Sequence, residues 1–524
     1  MPSTASNRRR AGNRRSTGTP NAPRVDAEHR VFSEVAMSPA TQGLLNHLRT
    51  TRAALLRAGC VALFAVVSGC GGGADSAAPL ASMPAAALVV AAARSIDDGA
   101  SGNPVSLRVV RSANGDGFAV WQADDGTRRN LWANRYDADT AAWERPVSIE
   151  SSDRDIVSFE LAVDATGNAM VVWGSPGSSQ DPHVVMSVRF DAGAGAWAAP
   201  ILVTEGSLDP RVSIDATGAA LVVYGDTGAR MFDSASGLWQ PQPVVSSTEG
   251  TGFFHGPIAG LVDGNGNALV AFMYGRTGTD TIASNYYSRS GGGWGSLPPD
   301  HPDPDVYGLV PNSAVRVGYI DEVQLARSSQ GNFVMAWQTQ LDAGSEIWTA
   351  HFTSSTRTWS TAYRLVPIVG QNNVRLQRIG SDGAADAFVL WTESDGMRTA
   401  LKTIRLDDAG AVCSAVQTID RAIGGGAGPA DLGVDESGNA IAIWQQFEGG
   451  NPDDGSRSNI AISRFDPATG AWTKAVFAET QPGNAISPRA SASGGQALLG
   501  WIQSEGGVNR VKVVLQPLVD PPGR

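Results

Sequence analysis

The sequence predicts an all-β fold, a closed β-propeller of eight four-stranded blades, with seven blades plus an extra sheet as the alternative. Two observations predict it. A turn followed by an apolar run that ends in an aromatic residue recurs eight times, at intervals of about 50 residues. A second landmark, in which a tryptophan follows a small polar residue by six positions, recurs between these runs. Units of this length with four short antiparallel strands are typical of propeller blades.

The first landmark joins an Asp/Gly turn to an apolar strand. In its second copy, Asp164 to Gly167 forms the turn and Ala169 to Trp173 the apolar run. Aspartate accepts hydrogen bonds from nearby backbone N–H groups and glycine adopts positive φ, so both residues suit a tight turn. The run should form a strand that is covered on both faces. The residues that close the eight runs are Trp121, Trp173, Tyr224, Phe272, Trp337, Trp391, Trp444 and Trp501.

The second landmark predicts the outer half of each blade. Its seven copies are Tyr136-Asp137 to Trp143, Phe190-Asp191 to Trp197, Phe232-Asp233 to Trp239, Tyr287-Ser288 to Trp294, Phe352-Thr353 to Trp359, Leu406-Asp407 to Cys413 and Phe465-Asp466 to Trp472. In the third unit we therefore expect four strands, here called A to D from the start of the blade. They are Arg211–Asp215 (A), Ala219–Tyr224 (B), Ala229–Asp233 (C) and a short strand D that contains Trp239.

The two ends of the repeat region predict ring closure. The last unit has a C strand near Val508–Leu515 but no tryptophan landmark after it. The segment Ala85–Ala93 is an apolar strand without a blade of its own. We expect this N-terminal strand to complete the eighth blade, because closure removes the exposed edges of an open array.

The segment before the repeats has the three parts of a secretory signal. Arg49, Arg52 and Arg57 form a positive region, and the apolar stretch Ala58–Val67 is too short to span a bilayer. The sequence Val-Ser-Gly that follows, ending at Cys70, resembles the lipobox of bacterial lipoproteins. This resemblance implies cleavage before Cys70 and acylation of that residue, which would anchor the protein in a membrane.

The signal pattern, the composition before it and the repeats after it together predict how the chain is divided. We expect a disordered extension or a start-site error at residues 1–36, a lipoprotein signal peptide at 37–69, a flexible tether at 70–84, the propeller at 85–519 and a tail at 520–524. Gly71, rather than an aspartate, follows Cys70, which resembles the pattern of outer-membrane lipoproteins. The predicted location is therefore the bacterial cell envelope, lipid-anchored at the outer membrane.

Charge and cysteine content exclude some classes of partner and bond. The formal net charge is −11, and residues 1–69 contain ten of the 40 basic and three of the 51 acidic residues, which leaves 30 − 48 = −18 for the remainder. Such a body should repel nucleic acid, so we expect no nucleic-acid partner. Cys60 lies in the signal and Cys70 would be acylated, so Cys413 has no partner for an intramolecular disulfide.

The repeated unit loosely resembles the Asp-box repeats of sialidase-like propellers, which also place an aromatic residue after an Asp/Gly turn. It lacks the serine or threonine before the aspartate and the single-residue gap before the glycine. The resemblance implies a propeller fold in which these repeats are structural. It implies no active site, because the arginine trio, tyrosine and carboxylates of sialidases have no counterparts that can be assigned in this sequence.

The hairpin pattern predicts where a ligand would bind. The A–B and C–D turns repeat and lie on one face, whereas the B–C and D–A loops vary and lie on the other, where propellers usually bind ligands. The acidic and amide residues of the B–C loops are either a polar ligand site or solvated loop surface. The candidate ligand-binding residues are Gln122, Asp124, Glu393, Gln445, Glu448 and Glu505.

No catalytic motif, cofactor motif or metal motif is present in the sequence. Asp300, His301, Asp303 and Asp305 lie in an insertion at Gly295–Pro311, but their spacing matches no metal motif. The sequence therefore predicts a non-catalytic binding or scaffold domain that needs no cofactor and binds a carbohydrate or protein ligand. The alternative is a carbohydrate-active enzyme, a sialidase-like glycosidase or a lyase, acting at the propeller funnel.

Overall fold

The computed structural model describes residues 88–519, apart from positions 100, 226–227, 242–252, 277–278, 292, 295–309, 314–317, 329–330, 370–372, 383–385, 421–424, 450–455 and 480. The predicted signal, Cys70, the tether and the tail lie outside the described residues, as do Ala85–Ala87 and nearly all of the insertion at Gly295–Pro311. What the sequence predicts for these segments remains a prediction.

The strands follow one another in eight groups along the chain. A short strand, β1 (Arg94–Ser95), precedes these groups. Blade 1 contains β2 (Asn103–Arg111), β3 (Gly117–Asp124), β4 (Arg129–Asp137), β5 (Ala142–Trp143) and β6 (Val147–Ser148), and blade 2 contains β7 (Ser158–Val163), β8 (Ala169–Ser175), β9 (Val184–Asp191), β10 (Ala196–Trp197) and β11 (Ile201–Glu205). Blade 3 contains β12 (Arg211–Ile214), β13 (Ala220–Tyr224), β14 (Gly228–Asp233) and β15 (Leu238–Trp239), and blade 4 contains β16 (Phe253–Val262), β17 (Ala268–Arg276), β18 (Thr279–Ser288) and β19 (Gly293–Trp294).

Blades 5 to 8 contain β20 (Tyr319–Arg327), β21 (Phe333–Leu341), β22 (Gly344–Thr353), β23 (Thr358–Trp359), β24 (Tyr363–Val366); β25 (Asn373–Ser381), β26 (Ala387–Ser394), β27 (Thr399–Leu406), β28 (Gln417–Thr418); β29 (Ala427–Val434), β30 (Ala440–Phe447), β31 (Ser458–Asp466), β32 (Ala471–Trp472), β33 (Val476–Phe477); and β34 (Ala485–Ser493), β35 (Gln496–Glu505), β36 (Val508–Pro517).

These strands form eight separate antiparallel sheets, each ordered A-B-C-D from its inner strand outward. In four of the sheets a fifth, short strand (β6, β11, β24 or β33) also pairs with strand C. The A strand of every blade contacts the A strand of the next, and β34 of blade 8 contacts β2 of blade 1, which closes the ring. The predicted eight-bladed propeller is therefore confirmed. No helix among the described residues has the length and apolar character needed to cross a bilayer.

The N-terminal segment completes blade 8, as predicted. Arg94 and Ser95 pair with Val513 and Lys512 of β36. The paired residues lie just after the apolar run that predicted them, because the Gln516 side chain occupies the backbone groups of that run. It accepts a hydrogen bond from Ala91 N (3.0 Å) and donates one to Val89 O (2.9 Å). Leu88 nevertheless packs into the core of the last blades.

The aromatic landmarks form the core between blades. Six of the eight closing residues are tryptophans with less than 2% of their surface exposed. The second landmark places each tryptophan of strand D opposite the aromatic residue of strand C, as in Phe232 with Trp239, whose ring centroids are 5.2 Å apart. Blade 6 differs, since Leu406 bridges to Val412 and its strand D forms only at Gln417–Thr418, while Cys413 is half-buried.

The Asp/Gly turns are held by hydrogen bonds rather than left open for a ligand. The buried Asp164 carboxylate accepts bonds from Thr166 N and Thr166 Oγ1 (both 2.8 Å), from Asn168 N (3.0 Å) and from Asn168 Nδ2 (2.8 Å). Asn168 Oδ1 in turn accepts from Ala192 N in the C–D turn, which joins the two turns on this face (3.0 Å). The repeated motif is therefore a structural element.

Candidate binding site in the central channel

One register position recurs on the inner strand of every blade, and in seven of the eight blades its residue lines the central channel. It is the residue that pairs with the position just before the closing aromatic, as Arg108 pairs with Val120 before Trp121. We call these eight residues the channel ring. Its members, in order from blade 1 to blade 8, are Arg108, Glu160, Arg211, Ala259, Gln324, Arg378, Asp431 and Arg489.

The channel ring lines a polar cavity of about 1240 Å³, and every member except Ala259 contributes to its wall. Ser394 and Gly396, at the B–C hairpin of blade 6, and Phe447, at the end of strand B in blade 7, also line this cavity. The cavity therefore reaches the face of the B–C loops, where the sequence predicts a ligand site. This volume is above the roughly 300–1,000 Å³ of most small-ligand pockets, so the cavity has room for a small organic ligand.

Two of the ring arginines are paired with the ring acid of the following blade. Arg108 Nε lies 2.8 Å from Glu160 Oε1, and Arg378 Nε lies 3.2 Å from Asp431 Oδ1. The Asp431 carboxylate also accepts bonds from Leu432 N (3.0 Å) and Ala490 N (3.1 Å). Both acids are therefore already engaged by neighbouring blades.

A third arginine crosses over blade 4. Arg211 of blade 3 donates from Nη1 to Val323 O and lies 3.3 Å from Glu322 Oε1, both in blade 5. Blade 4 has Ala259 at the corresponding position, and this small residue packs in the core between blades 4 and 5 and not in the cavity wall. The contact between Arg211 and Glu322 joins blades 3 and 5 at the channel, and both residues remain part of the cavity wall.

The ion pairs set the protonation of the ring. Burial raises the pKa of Glu160, but attraction to Arg108, with smaller effects of Arg378 and Arg489, outweighs it and holds the pKa below its ordinary value of 4.5. The Asp431 carboxylate raises the pKa of Arg378. Glu160 is thus an anion at neutral pH, suited to fixing Arg108 rather than to giving up a proton.

Amide side chains tie the inner strands together beside the ring. Gln324 Oε1 accepts from Ile379 N (3.0 Å), and Gln377 Oε1 accepts from Ala430 N (3.0 Å). Gln338 Oε1 accepts from Leu376 N in the same way (2.9 Å). These contacts link blades 5, 6 and 7, so they fix the inner strands in this part of the channel wall.

Of the six candidate ligand residues, only Gln445 lines the cavity. It is 9% exposed, and its Nε2 donates to Ser458 Oγ (2.9 Å). Gln122 is also buried and donates to Ile156 O. Asp124 accepts from Gly126 N within its own hairpin turn (2.8 Å).

The three candidate glutamates lie on B–C hairpins, each in an ion pair. Glu393 pairs with Lys402 (2.7 Å), Glu448 with Arg457 (2.7 Å) and Glu505 with Lys512 (2.6 Å). These cross-hairpin pairs give each glutamate a structural partner. A ligand role for any of them, and for Gln122 and Asp124, remains a prediction.

Sequence reasoning missed the channel ring, although a signal for it exists. The ring residue precedes the closing aromatic by thirteen positions in seven units and by twelve in the eighth, where the A–B turn is shorter. The residue type at this position varies from arginine to alanine, so it does not stand out as a motif. Its fixed distance from the landmark is what could have revealed it.

No group of three His, Cys, Asp or Glu side chains that could hold a metal ion occurs in the part of the chain that the structure describes. The acidic insertion at Gly295–Pro311 lies almost wholly outside that part. The described channel therefore offers guanidinium, amide and carboxylate groups as its chemistry.

Neither a known protein family nor a curated protein matches this sequence. Similar solved structures include the intramolecular trans-sialidase from Ruminococcus gnavus in complex with oseltamivir carboxylate (11% identity, TM-score 0.39, 74% of this chain and 98% of that chain). The Dos1 propeller has 10% identity and a TM-score of 0.44 over 82% of this chain and 96% of its own. The polysaccharide lyase Uly1 has 11% identity and a TM-score of 0.41 over 80% and 90%. Such low similarity carries no inference about activity.

Proposed function

We propose that this protein is a cell-envelope lipoprotein whose propeller binds a ligand in the central channel without altering it chemically. The observation that carries the proposal is that the acids of the channel ring are held by arginines. Glu160 and Asp431 are each in an ion pair, and the pKa of Glu160 is lowered. A general acid needs a carboxyl group whose pKa is raised toward the working pH, which is the opposite situation.

The second candidate is a carbohydrate-active enzyme acting in the same channel. It is favoured by one observation, namely that arginines and carboxylates converge there. A sialidase-like mechanism also needs a tyrosine, and none is among the described residues that line the cavity. The binding function therefore accounts for more of the described channel.

A glycan array combined with a panel of glycoside substrates separates the two functions. The protein to use is the chain from Ala74 onward, because the ring closes entirely within residues 88–519. The binding function predicts retention of one class of ligand with no turnover. Cleavage of any glycoside that disappears in Glu160→Gln would instead establish the enzyme.

The proposed membrane anchor is tested by a separate experiment. The signal pattern that ends at Cys70 supports acylation of that residue, which would hold the protein in the membrane of the cell envelope. Cells that are fed a palmitate analogue should label the wild-type protein but not Cys70→Ala. Labelling that persists in Cys70→Ala would refute the anchor.

A further inference from the structure

The charges of the channel ring are not evenly distributed. Around the ring the order is positive, negative, positive in blades 1 to 3, neutral in blades 4 and 5, and positive, negative, positive in blades 6 to 8. Because the ring is closed, Arg489 of blade 8 is followed directly by Arg108 of blade 1. This seam between blades 8 and 1 is therefore the one place in the ring where two cations are neighbours.

The acids near the seam are already engaged. Glu160 pairs with Arg108, and Asp431 accepts bonds from Arg378 and from the backbone at Ala490. The salt bridges among the described residues include none to Arg489. Its Nη1 donates to Pro488 O in its own strand (2.8 Å), and the Asp431 and Glu160 carboxylates attract the guanidinium without forming a direct ion pair with it.

The backbone at the seam departs from that of the other blades at one residue. A register shift between strands A and B occurs in six of the eight blades, but only the shift in blade 8, between Ile486 and Arg489, contains a described residue other than glycine with positive φ, namely Ser487 (54°). Gly500, the partner of Arg489, lets blade 1 approach closely, since a Cβ there would lie 2.7 Å from Val109 Cγ1. Strained backbone of this kind is concentrated at functional sites.

We propose that the seam between Arg489 and Arg108 binds an oxyanion, a carboxylate, sulfate or phosphate group carried by the ligand in the channel. Guanidinium groups match the planar and tetrahedral oxygens of such groups and bind them with two parallel hydrogen bonds. The inference rests on the proposed function, because it names the chemical class of ligand for the same channel.

The protonation of Arg489 agrees with an anion site. Burial, together with repulsion from the Arg108 guanidinium and a smaller repulsion from Arg378, lowers the pKa of Arg489 to about 10. The Asp431 and Glu160 carboxylates oppose this shift without cancelling it. An oxyanion placed between the two arginines would remove this repulsion and restore the pKa. The charge of the rest of the body is strongly negative, so binding an anion here depends on the local field of the seam.

Calorimetric titration with sulfate, phosphate and citrate tests the inference, with ionic strength held constant by sodium chloride. The variants are Arg489→Gln, Arg489→Lys and, as a matched control, Arg457→Gln, whose guanidinium pairs with Glu448 on a B–C hairpin. We expect Arg489→Gln to weaken binding of the preferred anion at least tenfold and Arg489→Lys to weaken it less. Arg457→Gln should keep the wild-type affinity, and melting curves confirm that each variant is folded.

Two results would overturn the inference. One is equal anion affinity in wild type and Arg489→Gln, and the other is no binding of any of the three anions. Retention of a neutral glycan by both proteins on the array would then leave the proposed binding function intact. Turnover on the substrate panel would refute the non-catalytic binding function. The titrations alone would still decide whether the seam binds an anion.

Discussion

Arg489 and Arg108 occupy neighbouring positions of the channel ring, on the inner strands of blades 8 and 1, and no acidic ring residue separates them. Every other ring arginine has a carboxylate partner, since Arg108 pairs with Glu160, Arg211 with Glu322 and Arg378 with Asp431. The seam where the chain closes its ring is thus also where positive charge is concentrated.

The Asp/Gly turn should affect stability and not binding. In Asp164→Ala four hydrogen bonds to the buried carboxylate are lost, so we expect the free energy of unfolding to fall by about 2–4 kcal/mol. Denaturant unfolding measures this, with the exposed Asp139→Ala as a nearly neutral control. Loss of ligand binding at unchanged stability would show that this face, and not the channel, is the functional one.

The close approach of blades 8 and 1 depends on the absence of a side chain at Gly500. The Cβ of Gly500→Ala would lie 2.7 Å from Val109 Cγ1 and 3.0 Å from Leu107 Cδ2, and we expect this overpacking to cost about 1–3 kcal/mol. Gly264→Ala is the control, because a Cβ there meets nothing within 4 Å. A Gly500→Ala protein as stable as wild type would mean that the seam is looser than described.

Ring closure depends on the N-terminal segment. The Asp97 side chain has no exposed surface, and it accepts bonds from Val511 N (2.9 Å) and Arg510 Nη1 (3.1 Å). Asp97→Ala should therefore cost about 2–3 kcal/mol. In Asp97→Ala we expect the Val511 amide to exchange faster than in wild type, while the amides of the other blades' inner strands keep their wild-type rates. Uniform loss of protection in all blades would argue against a separate closure element.

The Arg108–Glu160 pair should make stability depend on pH. The pKa of Glu160 is lower in the folded than in the unfolded chain, so its contribution is complete above the unfolded value and is lost as the pH falls below it. The free energy of unfolding should decline more steeply from about pH 5 to pH 3 in wild type than in Glu160→Gln. Parallel pH profiles of the two proteins would contradict this assignment.

The sequence was sufficient to predict the architecture because its landmarks have local causes. The turn at Asp164 and the buried Trp173 follow from turn chemistry and from strand burial, and both recur at nearly fixed spacing. The closing strand at Arg94 and Ser95 was displaced from the predicted apolar run because a side chain, Gln516, intercepts that run. Such a long-range contact has no local sequence signal.

The proposed site was harder to predict because it combines residues from different blades. Arg108 and Arg489 are 381 positions apart in the sequence, and only ring closure makes them neighbours. Loop residues such as Glu448 were predicted to bind a ligand because the B–C loops vary in sequence. In the structure, Glu448 forms an ion pair with Arg457 on the same hairpin. Cross-hairpin pairing of this kind can be anticipated from opposite charges on adjacent strands.

The most direct test of a ligand site in the channel is to locate a bound oxyanion by crystallography. A crystal of the chain from Ala74 onward, soaked in selenate, gives an anomalous signal at the selenium position. The account predicts a peak within hydrogen-bond distance of both Arg489 and Arg108, which is absent in Arg489→Gln. Peaks confined to the outer surface, with an empty seam, would contradict it.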